Sequence, residues 1–312
     1  MPPLSISTLA ADEYATAVAF VNTTSPERAE RAISWHHADQ QAGEGDLRRF
    51  VAVKDGGQMV GYGAIWPARS PRFRLDLVVD LVTAQDVGAP LLEHLESELR
   101  RVGAATAQAR AHEEQHALLA FLQAHAYVET QRMHALRLDV ATAVSSCVPR
   151  WAQDAVRERR IVTLADERSS DPDHHLSRLH ALQDAARADW PDPDPGPPAA
   201  LTSADFLRRL QDQAALPDAF FIAQHGRAYV GYSGVAPLPQ DRRVLASTGT
   251  AVTPAYRRQG VATALRVRAV TYARQHGYTA LVTHTASPVM LAINESVGFR
   301  RESAEVRLVK TL

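Results

Sequence analysis

The run Arg257-Arg258-Gln259-Gly260-Val261-Ala262 decides the reading of this chain. It follows Leu245–Thr253, a Thr- and Val-rich stretch whose β-branched residues suit a strand. It opens a segment in which Val261, Leu265, Ala269 and Tyr272 recur at helical spacing. Paired arginines at the positive end of a helix macrodipole are disfavoured unless an anion lies close by. Gly260 has about 1 kcal/mol less helix propensity than alanine. Both choices make sense if the N–H groups of this turn hold a phosphate. The glycine then permits close approach, and Ala262 keeps that side slim. The stretch reads as an anion site at a strand-to-helix turn.

The chain around it is globular. Its 312 residues are enough for about two domains with their own cores. Hydrophobic residues at 46% and charged residues at 22% exclude a disordered composition. A net charge of −1 leaves no broad basic surface and argues against a nucleic-acid partner. The single cysteine, Cys147, excludes an internal disulfide and a cysteine-based zinc cage. Met1-Pro2-Pro3-Leu4-Ser5 lacks the basic and apolar regions of a signal peptide, and no apolar run reaches membrane-spanning length. The expectation is a cytoplasmic protein with no membrane partner.

Arg257-x-x-Gly260-x-Ala262 after a strand resembles the pyrophosphate-binding motif of the GCN5-related N-acetyltransferase (GNAT) superfamily. Met290-Leu291-Ala292-Ile293-Asn294-Glu295-Ser296-Val297-Gly298-Phe299 resembles that family's next helix and its Gly-Phe ending. A strand-like Ala280–Thr285 lies between the two motifs, in the family's order.

The plan is written twice, about 170 residues apart. Val60-Gly61-Tyr62-Gly63-Ala64-Ile65-Trp66-Pro67 returns as Val230-Gly231-Tyr232-Ser233-Gly234-Val235-Ala236-Pro237. Phe50-Val51-Ala52-Val53 and Phe220-Phe221-Ile222-Ala223 precede these runs, and Asp55-Gly56-Gly57 and His225-Gly226-Arg227 fit hairpin turns. The expected fold class is α/β (mixed α+β), with two tandem acetyltransferase-type domains. Each is a mixed, largely antiparallel sheet flanked by helices. The expected domains are 1–145 and 155–312, joined near Ala141–Arg160. Helices are expected at Asp12–Val21, Glu27–Gln41, Pro90–Val102 and Glu114–His125 in the first half. In the second they are expected at Pro172–Asp189, Ala204–Ala214, Arg257–His276 and Val289–Val297. The proline-dense Asp189–Pro198 reads as a long loop between the first two helices of the second domain.

The first copy departs from the motif. Gln85-Asp86-Val87-Gly88-Ala89-Pro90 stands where a phosphate loop belongs, but Asp86 adds an anion and Pro90 removes a donor. The first domain is therefore expected to be a degenerate scaffold, with Asp76 and Asp80 at solvent or an interface. The second domain is expected to carry the intact acetyl-CoA motif.

The resemblance implies direct transfer of an acetyl group from acetyl-CoA to a primary amine of a small molecule or peptide. It implies cofactor binding by Ala251, Val252, Arg257, Arg258, Gln259, Gly260, Val261, Ala262, Ser287 and Asn294. The strand end Thr250–Val252 would diverge from Leu281–Thr285 to admit the pantetheine and thioester, whose oxyanion backbone N–H groups near Val252 would stabilise. Many relatives place a tyrosine acid four residues before the Gly of Gly-Phe; this chain has Asn294, an amide that cannot deliver a proton. His284 is the candidate base, because a free imidazole titrates at about 6.5. Asp189 and Trp190 are candidates on the acceptor side. Ser287 and Thr285 are also placed to cap the following helix.

Two other readings compete. The missing tyrosine fits a non-catalytic acyl-CoA binding or sensing protein. His112-Glu113-Glu114-Gln115-His116 matches the zinc-peptidase pattern H-E-x-x-H. That chemistry needs both histidines on one helical face, whereas the repeat puts His112 at a strand end and His116 on the next helix. Leu119 and Leu122 stand where the extended pattern needs glycine and a third histidine. No metal site is therefore expected, and the pairs His36-His37 and His174-His175 are read as surface residues. Oligomeric state is not legible.

Overall fold

The computed structural model describes residues 4–25, 35, 47–54, 57–69, 72–81, 85–142, 160–187 and 216–312. Apart from Trp35, the expected helix Glu27–Gln41 lies outside these residues, as do Ala204–Ala214, the proline-dense loop with Asp189 and Trp190, His36-His37 and Cys147. So does all but the edges of the expected join.

The chain divides into two compact units, Met1–Arg132 with Ala304–Leu312, and Met133–Ser303. In chain order the first carries β1 (Ser5–Thr8), α1 (Tyr14–Thr24), β2 (Arg48–Lys54), β3 (Gln58–Arg69) and β4 (Arg72–Val79). It continues with α2 (Gln85–Arg101), β5 (Thr106–His112) and α3 (His116–Ala124). The strand β6 (Val128–Asp139) crosses the division. The second unit continues with β7 (Arg160–Thr163), α4 (Leu164–Ser170), α5 (His175–Arg187), β8 (Phe220–His225), β9 (Ala228–Leu238) and β10 (Asp241–Val252). Then come α6 (Val261–Gln275), β11 (Ala280–Thr285), α7 (Pro288–Ser296) and β12 (Arg300–Thr311), whose end returns to the first unit.

Strand order in the first unit is β1-β2-β3-β4-β5-β12, and in the second β6-β11-β10-β9-β8-β7. The two orders are the same plan. Every resolved pairing is antiparallel except β4–β5 and β10–β11, which are parallel. The boundaries differ from a simple 1–145 and 155–312 split, because each sheet takes its sixth strand from outside its own repeat. Glu305–Thr311 pairs with Thr106–His112 in the first, and His134–Asp139 with Ala280–Thr285 in the second. A repeat of sequence identifies like segments but carries no signal for which copy a terminal strand will join.

Alternation along the strands builds a core on each sheet face. In the first unit, Leu75 and Leu77 pack with Leu91, Leu95 and Leu99 of α2, while Val78 joins Ala17 and Val21 of α1 on the other face. In the second, Phe221 and Ala223 pack with Leu265 and Ala269 of α6; Phe220 and Ile222 pack with Leu179 and Leu182 of α5. With both faces covered, Asp76 is buried at 6% exposure rather than at solvent as expected.

Several helix boundaries differ from expectation. α2 begins at Gln85, not Pro90, so Gln85–Pro90 is the first part of a helix and not a loop. α6 begins at Val261, which leaves Arg257–Gly260 as a connecting turn. The expected single helix Pro172–Asp189 is preceded by the separate α4. Its start is a capping box: Thr163 Oγ1 accepts from Asp166 N at 3.1 Å, and Asp166 Oδ2 accepts from Thr163 N at 2.9 Å. His175, expected at the surface, is buried with Nδ1 2.9 Å from Asp171 O, while His174 is exposed.

Candidate active site

The second unit contains an opening between two strands. β10 and β11 pair at Val244↔Ala280, Leu245↔Leu281 and Ala246↔Val282, and no further. Beyond that point β10 stays with β9, through Thr250↔Ser233, Ala251↔Tyr232 and Val252↔Gly231. β11 stays with β6, through Thr283↔Leu136, His284↔Ala135 and Thr285↔His134. The two strands part at Ala246 and Val282 and run on to Val252 and Thr285, leaving a wedge between them.

A bulge sets which side chains face the wedge's two sides. Pairing shifts between Ser247 and Gly249, where Gly249 has φ +140°. Leu245 therefore lies in the core beside α6 while Ala251, six residues on, lies in the core beside α5. Strict alternation would have put both on one face; the extra residue inverts the rest of the strand.

Backbone direction follows from the ladder. Thr253 N donates to Val230 O at 3.0 Å, so it points toward β9. By alternation the N–H and C=O of Val252, and those of Thr250, point the other way, into the wedge. Arg257 Nε takes the Val252 carbonyl at 3.0 Å.

The turn at the wedge mouth is built from unusual dihedrals. A short helical turn, Pro254–Tyr256, leads to Arg257 at φ −70° and ψ 160°, then Arg258 at φ +57°, and Gly260 at φ +76° and ψ 0°. Gly260 is the N-cap of α6 and accepts the bond from Ala264 N at 2.9 Å. The N–H groups of Gly260, Val261, Ala262 and Thr263 precede the first i→i−4 bond of the helix. A left-handed residue followed by these N–H groups makes a concave anion-binding nest at a positive dipole end.

The arginines do less than the sequence implied. The Arg257 guanidinium spans the strand end and α5, with Nη2 3.2 Å from Ala186 O, and so ties the two together. Gln259 Nε2 donates to Ala255 O at 2.9 Å. The Arg258 side chain is exposed.

On β11 and α7, Ser287 Oγ accepts from Met290 N at 3.3 Å as the helix cap, and Thr285 Oγ1 accepts from Ser287 N at 3.1 Å. His284 is exposed; Leu281 faces the α6 core, so His284 points to the opposite sheet face. Asn294 is 1% exposed and accepts on Oδ1 from Arg266 Nε at 2.9 Å.

Arg266 was not among the expected site residues. It lies on α6, is 1% exposed, and donates from Nη1 to Ser247 Oγ at 3.0 Å. Its Cζ sits 4.9 Å from the Phe299 ring centroid, and Nη2 is buried without an acceptor among the described residues. Burial pushes its pKa down to about 10. An arginine inside a helix reads as a solvated residue, and the one signal against that was its place beside Leu265 on the apolar side.

The first unit repeats the strand splay but not the turn. β4 and β5 pair from Arg72↔Thr106 to Leu75↔Ala109, then run on to Val79 and His112. Where the second unit has a glycine turn, the first has the opening turn of α2 with Asp86 in it. His112 ends β5 and His116 begins α3, so the two histidines do not share a helix face. Among the described residues no group of three or more His, Cys, Asp or Glu side chains is placed to hold a metal ion. Among the same residues, no helix is long and apolar enough to cross a membrane.

The acetyltransferase (GNAT) family model matches residues 179–294, a span holding the wedge, the glycine turn and Asn294. No curated protein matches the sequence. The fold is similar to that of a GCN5-related N-acetyltransferase from Sphaerobacter thermophilus, at 14% identity and TM-score 0.70, over 100% of this chain and 97% of that one. It is also similar to a tandem GNAT protein from the clavulanic acid biosynthesis pathway, at 18% identity and TM-score 0.64, over 99% of this chain and 98% of that one. A glucosamine N-acetyltransferase region of a fungal multi-domain β-N-acetylglucosaminidase has TM-score 0.68 at 13% identity, over 99% of this chain and 38% of that one. The second unit therefore carries a match to the GNAT acetyltransferase domain, and the chain along its length has the fold of tandem GNAT proteins.

Proposed function

We propose that the protein transfers an acetyl group from acetyl-CoA to a primary amine, with its active site in the second unit. The observation that carries this is the placement of the Gly260 turn at the mouth of the β10–β11 wedge. One feature takes the phosphates and the other takes the arm that they anchor.

Residues fit the co-substrate at both ends. The N–H groups of Gly260, Val261 and Ala262 hold the pyrophosphate, and Arg258 and Gln259 frame it. The N–H groups of Val252 and Thr250 face the arm, with Ala251 between them turned to the other face. The deeper donor takes the thioester carbonyl and stabilises the oxyanion formed when the amine attacks. Ser287 and Asn294 line the side formed by α7. His284 lies on the opposite sheet face, where it would take the amine's proton directly or through water. The acceptor is a small-molecule or peptide amine, and Asp189 and Trp190 remain its proposed contacts.

The test is turnover against a panel of amines, followed by free thiol release. Release that depends on both amine and acetyl-CoA, and that falls at least tenfold in His284→Ala, is the expected result. A second reading, acyl-CoA binding without catalysis, is favoured by Asn294, whose amide is engaged by Arg266 and gives no proton. That reading predicts tight acetyl-CoA binding with no release for any amine.

A further inference from the structure

Among the described residues, Arg266 is a buried cation with no anion beside it. Its hydrogen-bond partners among those residues, Ser247 Oγ and Asn294 Oδ1, are neutral, and its Nη2 has no acceptor among them. Burial alone shifts its pKa, with no charged neighbour contributing. Of the titratable groups on the neighbouring elements, His284 of β11 is exposed on the other sheet face, and Glu295 of α7 is tied to Arg301 at 2.7 Å. A desolvated guanidinium held this way costs several kcal/mol unless something completes it, as a rule for buried charges. Half-satisfied buried groups of this kind call for a functional account.

Its position says what completes it. Ser247 is the first residue of β10 past the last β10–β11 pair, so the guanidinium sits at the vertex of the wedge. The phosphate turn is at the mouth, and the five residue steps from Ser247 to Val252 are about 17 Å of strand. A coenzyme A molecule anchored by its phosphates at the mouth points its sulfur toward the vertex. The α7 residue presented there is Asn294, which has no proton to give.

We propose that Arg266 is the cation that receives the departing coenzyme A thiolate. The inference rests on the acetyltransferase reading above. The amine nitrogen bonds to the thioester carbon, the C–S bond breaks, and its electron pair passes to sulfur. The sulfur leaves as an anion paired with the guanidinium instead of as a protonated thiol. The proton shed by the attacking amine goes to water or His284, and the thiolate takes one from water on release. Charge stabilisation replaces proton donation at this site.

The experiment binds free coenzyme A to the full-length protein and titrates the bound thiol by its thiolate ultraviolet absorbance. A free thiol titrates at about 8.5 as a general reference. In the wild type the bound thiol is expected at least one pH unit below free coenzyme A measured alongside. In Arg266→Gln and Arg266→Met it returns to the free value, and kcat falls about 100-fold with KM changed little, the size seen for loss of one oxyanion donor. The methionine variant guards against misfolding, since apolar replacement of a buried ion is often tolerated. A wild-type bound thiol that titrates with free coenzyme A overturns the proposal by itself, whatever the variants do. An equal depression in wild type and a folded variant overturns it too. Absence of coenzyme A binding to folded wild type instead overturns the acetyltransferase reading on which it stands.

Discussion

Gly88 and Gly260 hold corresponding places in the two repeats but do opposite work. Gly260 caps α6 at φ +76°, a conformation that L side chains resist. Gly88 lies inside α2, where an added Cβ would come within 2.7 Å of Leu81 Cδ2 and 3.1 Å of Phe121 Cε2. One glycine shapes a turn, and the other makes room for packing.

Alanine substitutions separate the two roles. Gly260→Ala is expected to cost about 1–2 kcal/mol from left-handed strain and to weaken acetyl-CoA binding. Gly88→Ala gains helix propensity but overpacks, for a net cost of about 1 kcal/mol, and leaves acetyl-CoA binding unchanged. Thermal melts with and without acetyl-CoA check both.

Asn294→Ala should destabilise the second unit by about 2–3 kcal/mol, because it strips a buried guanidinium N–H of its acceptor. Denaturant titration measures it; a change below about 0.5 kcal/mol, the usual range for surface sites, would mean that the Arg266–Asn294 bond carries no stability.

Lys310 reaches back from β12 to the buried Glu96, with Nζ 2.8 Å from both carboxylate oxygens. Tyr127 and Arg100 also donate to that carboxylate. Lys310→Met leaves Glu96 with the half-exposed Arg100 as its remaining cation and should cost about 2–4 kcal/mol, somewhat under a fully buried pair. Removing 304–312 also deletes Val306 and Leu308 from the first core, so limited proteolysis of that truncation should cleave within 1–132 first.

Alkaline pH is predicted to loosen both units. Burial, together with Glu96, pushes the Tyr127 phenol well up, and burial with a bond to Glu167 does the same for Tyr229. A phenol raised in the folded state stays neutral there while the unfolded chain ionises at about 10. Their stabilisation is thus complete below about pH 10 and is lost as pH rises toward the folded values. Tyr127→Phe and Tyr229→Phe should each flatten the loss of Tm between pH 9 and 11, an order-of-magnitude window around the free phenol value of about 10.

The turn was legible because it rests on local chemistry, whereas the wedge was expected only from the family resemblance. β-branched residues before Arg257 and the helical spacing after Val261 placed the strand-to-helix turn within four residues. The bulge at Gly249 was not legible, since its consequence, Leu245 and Ala251 in opposite cores, is visible only through β9. Arg266 was missed for the same reason: its burial comes from Ser247, Asn294 and Phe299, all distant in sequence. The strand exchange left no local trace, because Arg300–Thr311 has the same alternation whichever sheet receives it. In the first repeat, glutamine and glycine at the right spacing imitated a loop that the chain folds as helix.

Calorimetric titration of acetyl-CoA into the full-length protein, beside Gly260→Glu, tests the central claim most directly. The account predicts one acetyl-CoA per chain, lost when the glutamate fills the Gly260 turn with bulk and negative charge. Two molecules per chain, binding that survives Gly260→Glu, or no binding by folded wild type would contradict it.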